Sequence, residues 1–348
     1  MKSGDINWKG RVFVLCALLF VAAPSKAQSP DELPTSFPGI DLVSPAQQAV
    51  VHSGQVVPVV VEVDPALDPR SVLLTGNLFR TGISLSLTGP PFKGRLTIPE
   101  NLAGPLELAL IVMGPTNKPV GGLGLHLNVV PAEAPQRIYC DTGYVLKIPP
   151  DDFLAFRTVA VKGIYGSGVE RDISDPVTGT RYRSSDTSVV TVNEHRVMEP
   201  VSPGRAFVVV EHRGLKGFVR VDVEGAGTTS GDFPPVDHTK DVSIAASVPR
   251  KREGSVRYDM DVVIRNDADL PLALPLHLVV TGLAEGVRVD DVGKTARVEP
   301  VGSPYVYVDV DEQHYLPPGS SARATVTFIN FDAKPLDHQL RLYSGEVR

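Results

Sequence analysis

The residues able to do chemistry are few and scattered. Eight histidines occupy positions 52, 126, 195, 212, 238, 277, 314 and 338, and no two have the spacing that places a pair of imidazoles on one zinc ion. The two cysteines are Cys16 and Cys140, and neither has a histidine at ligand spacing. No Gly-x-Ser-x-Gly elbow occurs, so a strand-to-helix nucleophile has no local support. Gly225-Ala226-Gly227 with Gly231 has the glycine content of a phosphate cradle. Asp232-Phe233-Pro234-Pro235 follows, however, where a helix N-terminus would have to begin, and the stretch reads instead as a flexible linker. Calcium needs several carboxylate and carbonyl oxygens together. The nearest approaches are Asp309, Asp311 and Glu312, the run Asn266, Asp267 and Asp269, and Asp64 with Asp68. None has the order of a calcium loop, and solvated loop carboxylates are the plainer reading. No catalytic, cofactor-binding or metal-ligating residue is therefore assigned.

The elements that would have to position any site are strands. Thirty-one glycines and thirty-one prolines in 348 residues imply many turns and little helix. Val56 onward is β-branched through position 63, and Ile83-Ser84-Leu85-Ser86-Leu87 alternates with period two. Residues 106–113 are an apolar run broken only by Glu107, and 123–129 place Leu123, Leu125, Leu127 and Val129 on one face with Gly124, His126 and Asn128 on the other. Pro58 lacks a ladder donor, which argues for an edge position or a strand that changes sheets. Further strands are expected at 158–162, 188–192, 206–211, 218–223, 256–265, 274–281, 305–310 and 322–330. The strand after Pro203-Gly204 alternates less cleanly than the rest, and Asn193-Glu194-His195 joins two apolar runs as a hairpin would. No helical period intervenes, so each unit should divide its apolar residues between the facing surfaces of two antiparallel sheets.

This organisation predicts an all-β chain of three tandem immunoglobulin-like β-sandwich domains behind a cleaved signal peptide. Lys2, Lys9 and Arg11 precede an apolar run of about a dozen residues (12–23), short of the ~20 that span a bilayer, and Ala27 closes a small-residue cleavage site. Segment 1–27 is then the signal peptide, 28–38 a proline-rich linker, 39–131 the first sandwich and 134–224 the second. Residues 225–235 form another linker and 236–348 the third sandwich. Leu15 before Cys16 disfavours lipidation, and removal of the leader would leave Cys140 without an intrachain disulfide partner.

Within the second unit, three strings carry a resemblance. They are Val161-Lys162-Gly163-Ile164-Tyr165-Gly166-Ser167-Gly168-Val169-Glu170-Arg171-Asp172-Ile173-Ser174, then Tyr182-Arg183-Ser184-Ser185-Asp186-Thr187-Ser188-Val189-Val190-Thr191-Val192, and Val201-Ser202-Pro203-Gly204-Arg205-Ala206. Together they resemble the bacterial Ig-like domain of group 2, the module of invasin and intimin type surface proteins. The hairpin departs from that pattern, with Asn193-Glu194-His195 in place of a glycine turn. The flanking units are similar, more loosely, to bacterial Ig-like and accessory sandwich domains.

The resemblance implies a spacer or adhesive module with no catalytic residue to carry over, and hence a non-enzymatic, secreted structural or interaction protein, periplasmic or extracellular. Three sandwiches in series would make a rod. An accessory module that binds a glycan or a partner protein at the cell envelope is the alternative. Removing Lys2, Lys9, Arg11, Lys26 and Asp5 with the leader changes the net charge from -6 to -9 (30 basic, 39 acidic). That charge argues against nucleic acid as a partner. No integral membrane span and no cofactor are expected.

Overall fold

A computed structural model describes residues 33–76, 81–148, 157–290, 293–310 and 314–348. The leader with Cys16, residues 28–32 of the first linker, and Asp311 with Glu312 lie outside the described residues. Among those described there is no α-helix, only strands and three short 3-10 turns at Pro65–Leu67, Pro176–Thr178 and Ser230–Asp232. No described helix is long and apolar enough to cross a membrane.

Apolar side chains gather in three main clusters that follow the chain in order. The first joins Val59, Val61, Leu74, Leu110 and Leu125. The second joins Val161, Tyr165, Val190, Met198 and Val221, and the third Met260, Ile264, Leu278, Val326 and Phe328. Period-two alternation builds them: in Val56–Val63, Val57, Val59 and Val61 are buried while Val56, Pro58 and Glu62 are exposed.

The first two clusters are enclosed by the same strand path. In the first, Ile40–Ser44 pairs antiparallel with Val56–Val63 in one sheet, and the chain then crosses to place Ala49–His52 parallel to Pro119–Val130 in the other. In the second, Arg137–Cys140 pairs antiparallel with Val161–Ile164 before Gly143–Lys147 runs parallel to Leu215–Glu224. These two parallel pairs correct the expectation of wholly antiparallel sheets. A first strand that serves both sheets meets the last strand with the same polarity, and no periodicity within either strand records that. In the third, Val236–Asp237 is antiparallel to Gln339–Ser344.

Pro58 is resolved by the register. Val56–Val63 is central, between Ile40–Ser44 and Phe92–Thr97, yet the first of these neighbours ends opposite Val60. At Pro58 the strand is paired on one side only, so the missing N–H costs no ladder bond, and Ser44 Oγ donates to the Pro58 carbonyl at 2.9 Å.

Candidate interaction site at the segment junctions

The residues singled out for their chemistry are dispersed through the structure. His52 bonds the Val130 carbonyl, His238 lies between Asp241 and Ser344, and His338 bonds the Leu336 carbonyl and lies over Phe328. His212 and His277 are buried. Among the described residues, no three of His, Cys, Asp and Glu come together as a metal site. Asn266 spends its side chain on Leu270, Leu316 and Ala268 backbone groups, Asp267 accepts from Ser243, and Asp64 caps the turn at Pro65–Leu67. Each of these oxygens has a structural partner. Burial, then the Asp141 charge, pushes the Cys140 thiol up to about 12, and its Sγ lies against Gly217. It is a packed neutral thiol rather than a nucleophile.

The polar groups that do converge are arginines at the joins between clusters. Arg171, on Glu170–Asp172, is 6% exposed and stacks over the Tyr165 ring at 4.1 Å. Its Nε donates to the Glu100 carbonyl at 2.5 Å and its Nη1 to Glu133 Oε1 at 3.3 Å. Arg213, in the tight turn between Gly204–His212 and Leu215–Glu224, donates to the Pro131 and Glu133 carbonyls at 2.6 Å each. Two guanidiniums of the second segment thus hold backbone of the first, and Ala103 packs onto the second cluster.

The second junction uses a sheet face. On Gly204–His212, Ala206, Val208 and Val210 point into the second cluster, while Phe207 and Val209 point the other way. With Phe218 they meet Leu270, Ala273 and Tyr315 of the third segment. Tyr315 stands edge-on to Phe207 and Phe218, with ring centres 5.7 and 6.2 Å away, and its hydroxyl donates to the Phe218 carbonyl at 3.1 Å. Beside this patch, Asp222 accepts from Arg205 Nε and Arg220 Nη2, both at 2.7 Å. Burial alone would raise the Asp222 pKa, but the hydrogen bonds and charges of the two arginines outweigh it and hold the carboxyl below its usual value. Arg220 Nη1 then donates to the Leu274 carbonyl at 2.7 Å.

The third segment therefore rests an end on a sheet face of the second, which corrects the picture of sandwiches placed end to end in a rod. Residues 225–235 are likewise not free. Gly225 and Thr228 exchange backbone bonds, Thr229 and Asp232 form a capping box, and Phe233 is buried under Arg205. Arg297 donates to the carbonyls of Gly231, Asp232 and Phe233. A composition that reads as a flexible linker is pinned by one arginine and one buried ring.

Along this junction runs an open groove of about 490 Å³, lined by Arg220, Leu274, Pro275, Tyr307, Asp309 and Val310. A smaller hollow of about 280 Å³ adjoins it at Arg220, with Tyr144, Asp222 and His314 in its wall. Arg220 and Asp222 face it already paired, while Asp309 stands exposed in its wall. None of these arginines was singled out in the sequence. One signal was there: apolar residues on both faces of 204–212 and 218–223 mean that a second surface covers that sheet.

No protein-family model and no curated protein matches the chain. Among solved structures, the chain is similar to fibronectin(III)-like modules of CbhA from Clostridium thermocellum, at 12% identity and TM-score 0.23, covering 54% of this chain and 95% of that one. An I-band fragment of titin aligns at 9% identity and TM-score 0.21, covering 90% and 95%. The S-layer protein rSbsC aligns at 11% identity and TM-score 0.22, covering 86% of this chain and 53% of that one. At these scores the likenesses carry no argument. It is the strand pairing and the clusters between sheets that define the class, all-β with immunoglobulin-like sandwich architecture.

Proposed function

We propose that this chain is an exported, non-enzymatic structural or adhesive protein of the cell envelope. In this reading 134–224 is an Ig-like module of the bacterial group 2 type, and the partner is an envelope protein or glycan. The observation that carries it is where the arginine side chains at the junctions are spent. Arg171, Arg213, Arg220 and Arg297 reach backbone carbonyls across the joins between segments and linker instead of lining a cleft with acids, bases or nucleophiles. A protein that bears load or presents surfaces at set angles needs such joints, because the interfaces between domains in one chain otherwise leave relative motion free.

Small-angle scattering of the purified chain, together with binding to immobilised envelope polysaccharides and proteins, tests the proposal. The expected result is a single narrow distribution of shapes that fits the side-on second junction, and saturable binding to one of these partners. A broad distribution of inter-segment angles would remove the structural reading, and turnover of a bound polysaccharide would overturn the non-enzymatic one.

A further inference from the structure

His277 is the least satisfied polar side chain described. It lies on Leu276–Thr281, it is fully buried, and neither ring nitrogen has a hydrogen-bond partner. An imidazole always carries at least one N–H, and burying an unpaired donor or acceptor costs about 1–3 kcal/mol. The rest of the fold retains this cost.

The ring sits among tyrosines. Tyr343 and Tyr307 are its register partners on the two adjacent strands, and Tyr305 and Tyr307 have ring centres 4.9 and 4.8 Å away. Tyr305 in turn lies against Gly293 on the next strand, where any side chain would collide with its phenol. Over this face passes a strap, residues 345–348. Gly345 donates to the Pro275 carbonyl at 3.0 Å, and the fully buried Val347 packs with Val279, Val298, Tyr305 and Tyr343. The Val347 carbonyl accepts from the Ala296 and Arg297 amides at 2.8 and 3.1 Å. The charged or titratable groups facing His277 are Tyr305 and Tyr307 from one neighbour, Tyr343 with Arg341 and the adjoining Asp237 from the other, and Glu346 and Arg348 from the strap.

We propose that His277 is an acid-sensitive latch: its protonation releases the strap 345–348 and, through Ala296 and Arg297, loosens the third segment's hold on residues 231–233. A charged imidazolium must place two N–H groups in a space where only the Gly345 backbone comes near, so at least one is left unpaired, and the strap is the element whose departure admits water. The connection onward is covalent and short. Arg297, whose amide the strap holds, is the residue whose guanidinium holds the Gly231, Asp232 and Phe233 carbonyls. Burial is the main cause that lowers the ring's pKa. The pull of Glu346 and a Gly345 backbone contact raise it, and Arg348 lowers it further. With the folded pKa below the unfolded ~6.5, the neutral ring's stabilisation is complete above that value and is lost as pH falls below it. This inference rests on the fixed-junction reading for its consequence at residues 231–233.

Hydrogen exchange of the whole chain, resolved at Ala296 and Arg297 and corrected for intrinsic rates, tests the latch. Between pH 7.5 and 5.5 their opening should increase by up to about tenfold, the most that a group of unfolded pKa ~6.5 can supply over that interval. In His277→Phe, which fills the apolar cage and cannot be protonated, the increase should vanish. Equal pH dependence in both proteins overturns the proposal. Should the variant not fold, the wild-type NMR titration decides: His277 ring and Val347 methyl shifts moving together support the latch, and a ring that titrates with Val347 unmoved sinks it. Scattering at pH 7.5 reports separately on the junction, so a mobile junction would remove that reading and leave the strap result standing.

Discussion

His212 shows how a single buried side chain ties stability to pH. Its Nδ1 is 2.8 Å from Thr180 Oγ1, and Thr180 Oγ1 donates its own proton to the Ile173 carbonyl. The hydroxyl can then only accept from the ring, which puts the imidazole proton on Nδ1 and leaves Nε2 bare, buried and without a partner. Protonating Nε2 would bury a new donor with nothing to receive it. Burial, assisted by the Arg213 charge, accordingly lowers the His212 pKa to about 4 from 6.5. The sign follows directly. The neutral ring's contribution is complete above pH 6.5 and is lost as pH falls toward 4, and the gap corresponds to roughly 3 kcal/mol. Urea unfolding at a series of pH values checks it: wild type should lose up to that amount between pH 6.5 and 4, and His212→Gln should lose less over the same range while starting from a lower value at pH 7. A variant with the wild-type slope would show that other groups control acid unfolding of this segment.

Among the elements, the hairpin between Val190–Val192 and Val197–Pro200 was expected from two apolar runs around Asn193-Glu194-His195, despite its missing glycine. The side chain of Asn193 replaces that glycine's role. Its Oδ1 accepts from the His195 and Val197 amides, both at 3.0 Å, and Arg196 takes the left-handed φ of 60°. Asn193→Ala removes both bonds and should cost about 1–2 kcal/mol, at roughly 1 kcal/mol for each neutral hydrogen bond. A shift in the urea midpoint with unchanged slope would report it, whereas no shift would mean that the turn is held by its flanking strands. Strands of this kind were legible because alternation is local. Residues 56–63 and 322–330 were placed within a residue of the observed Val56–Val63 and Ser321–Ile329. The parallel pairing of Ala49–His52 with Pro119–Val130 was not, since Ala49 and Leu127 are brought together by the whole intervening chain. Arg171 was equally hidden within a recognised string. Its partners are Glu100 of the first segment and Glu133 of the joint, and an arginine on a strand looks the same whether it meets water or a carbonyl.

Across the whole molecule, the two junctions differ in kind, and so should their responses to substitution. The second to third contact is largely apolar, with Phe207, Val209, Phe218 and Tyr315 at its centre, and it shares strands with the second cluster. Truncating there would disturb both the joint and the fold. The first to second contact instead hangs on guanidiniums reaching carbonyls, and Arg213 is exposed and stands outside the apolar clusters. Arg213→Ala removes two charge-assisted bonds worth about 1.5–3 kcal/mol each before solvent competition. Even half the smaller total would move the balance between held and released joint by about tenfold, since 1.4 kcal/mol is a factor of ten. The Arg213→Ala chain should therefore show a wider distribution of scattering dimensions, while its thermal unfolding midpoint stays within about 2 °C of wild type because the sandwich cores keep their packing. Adding Arg171→Ala should widen the distribution further and lower the midpoint, because Arg171 also covers the Tyr165 ring inside the second cluster. If the single variant scatters like wild type, the angle between the first two segments is set by the Ala103 contact and by Arg171, and the exposed arginine contributes nothing to it.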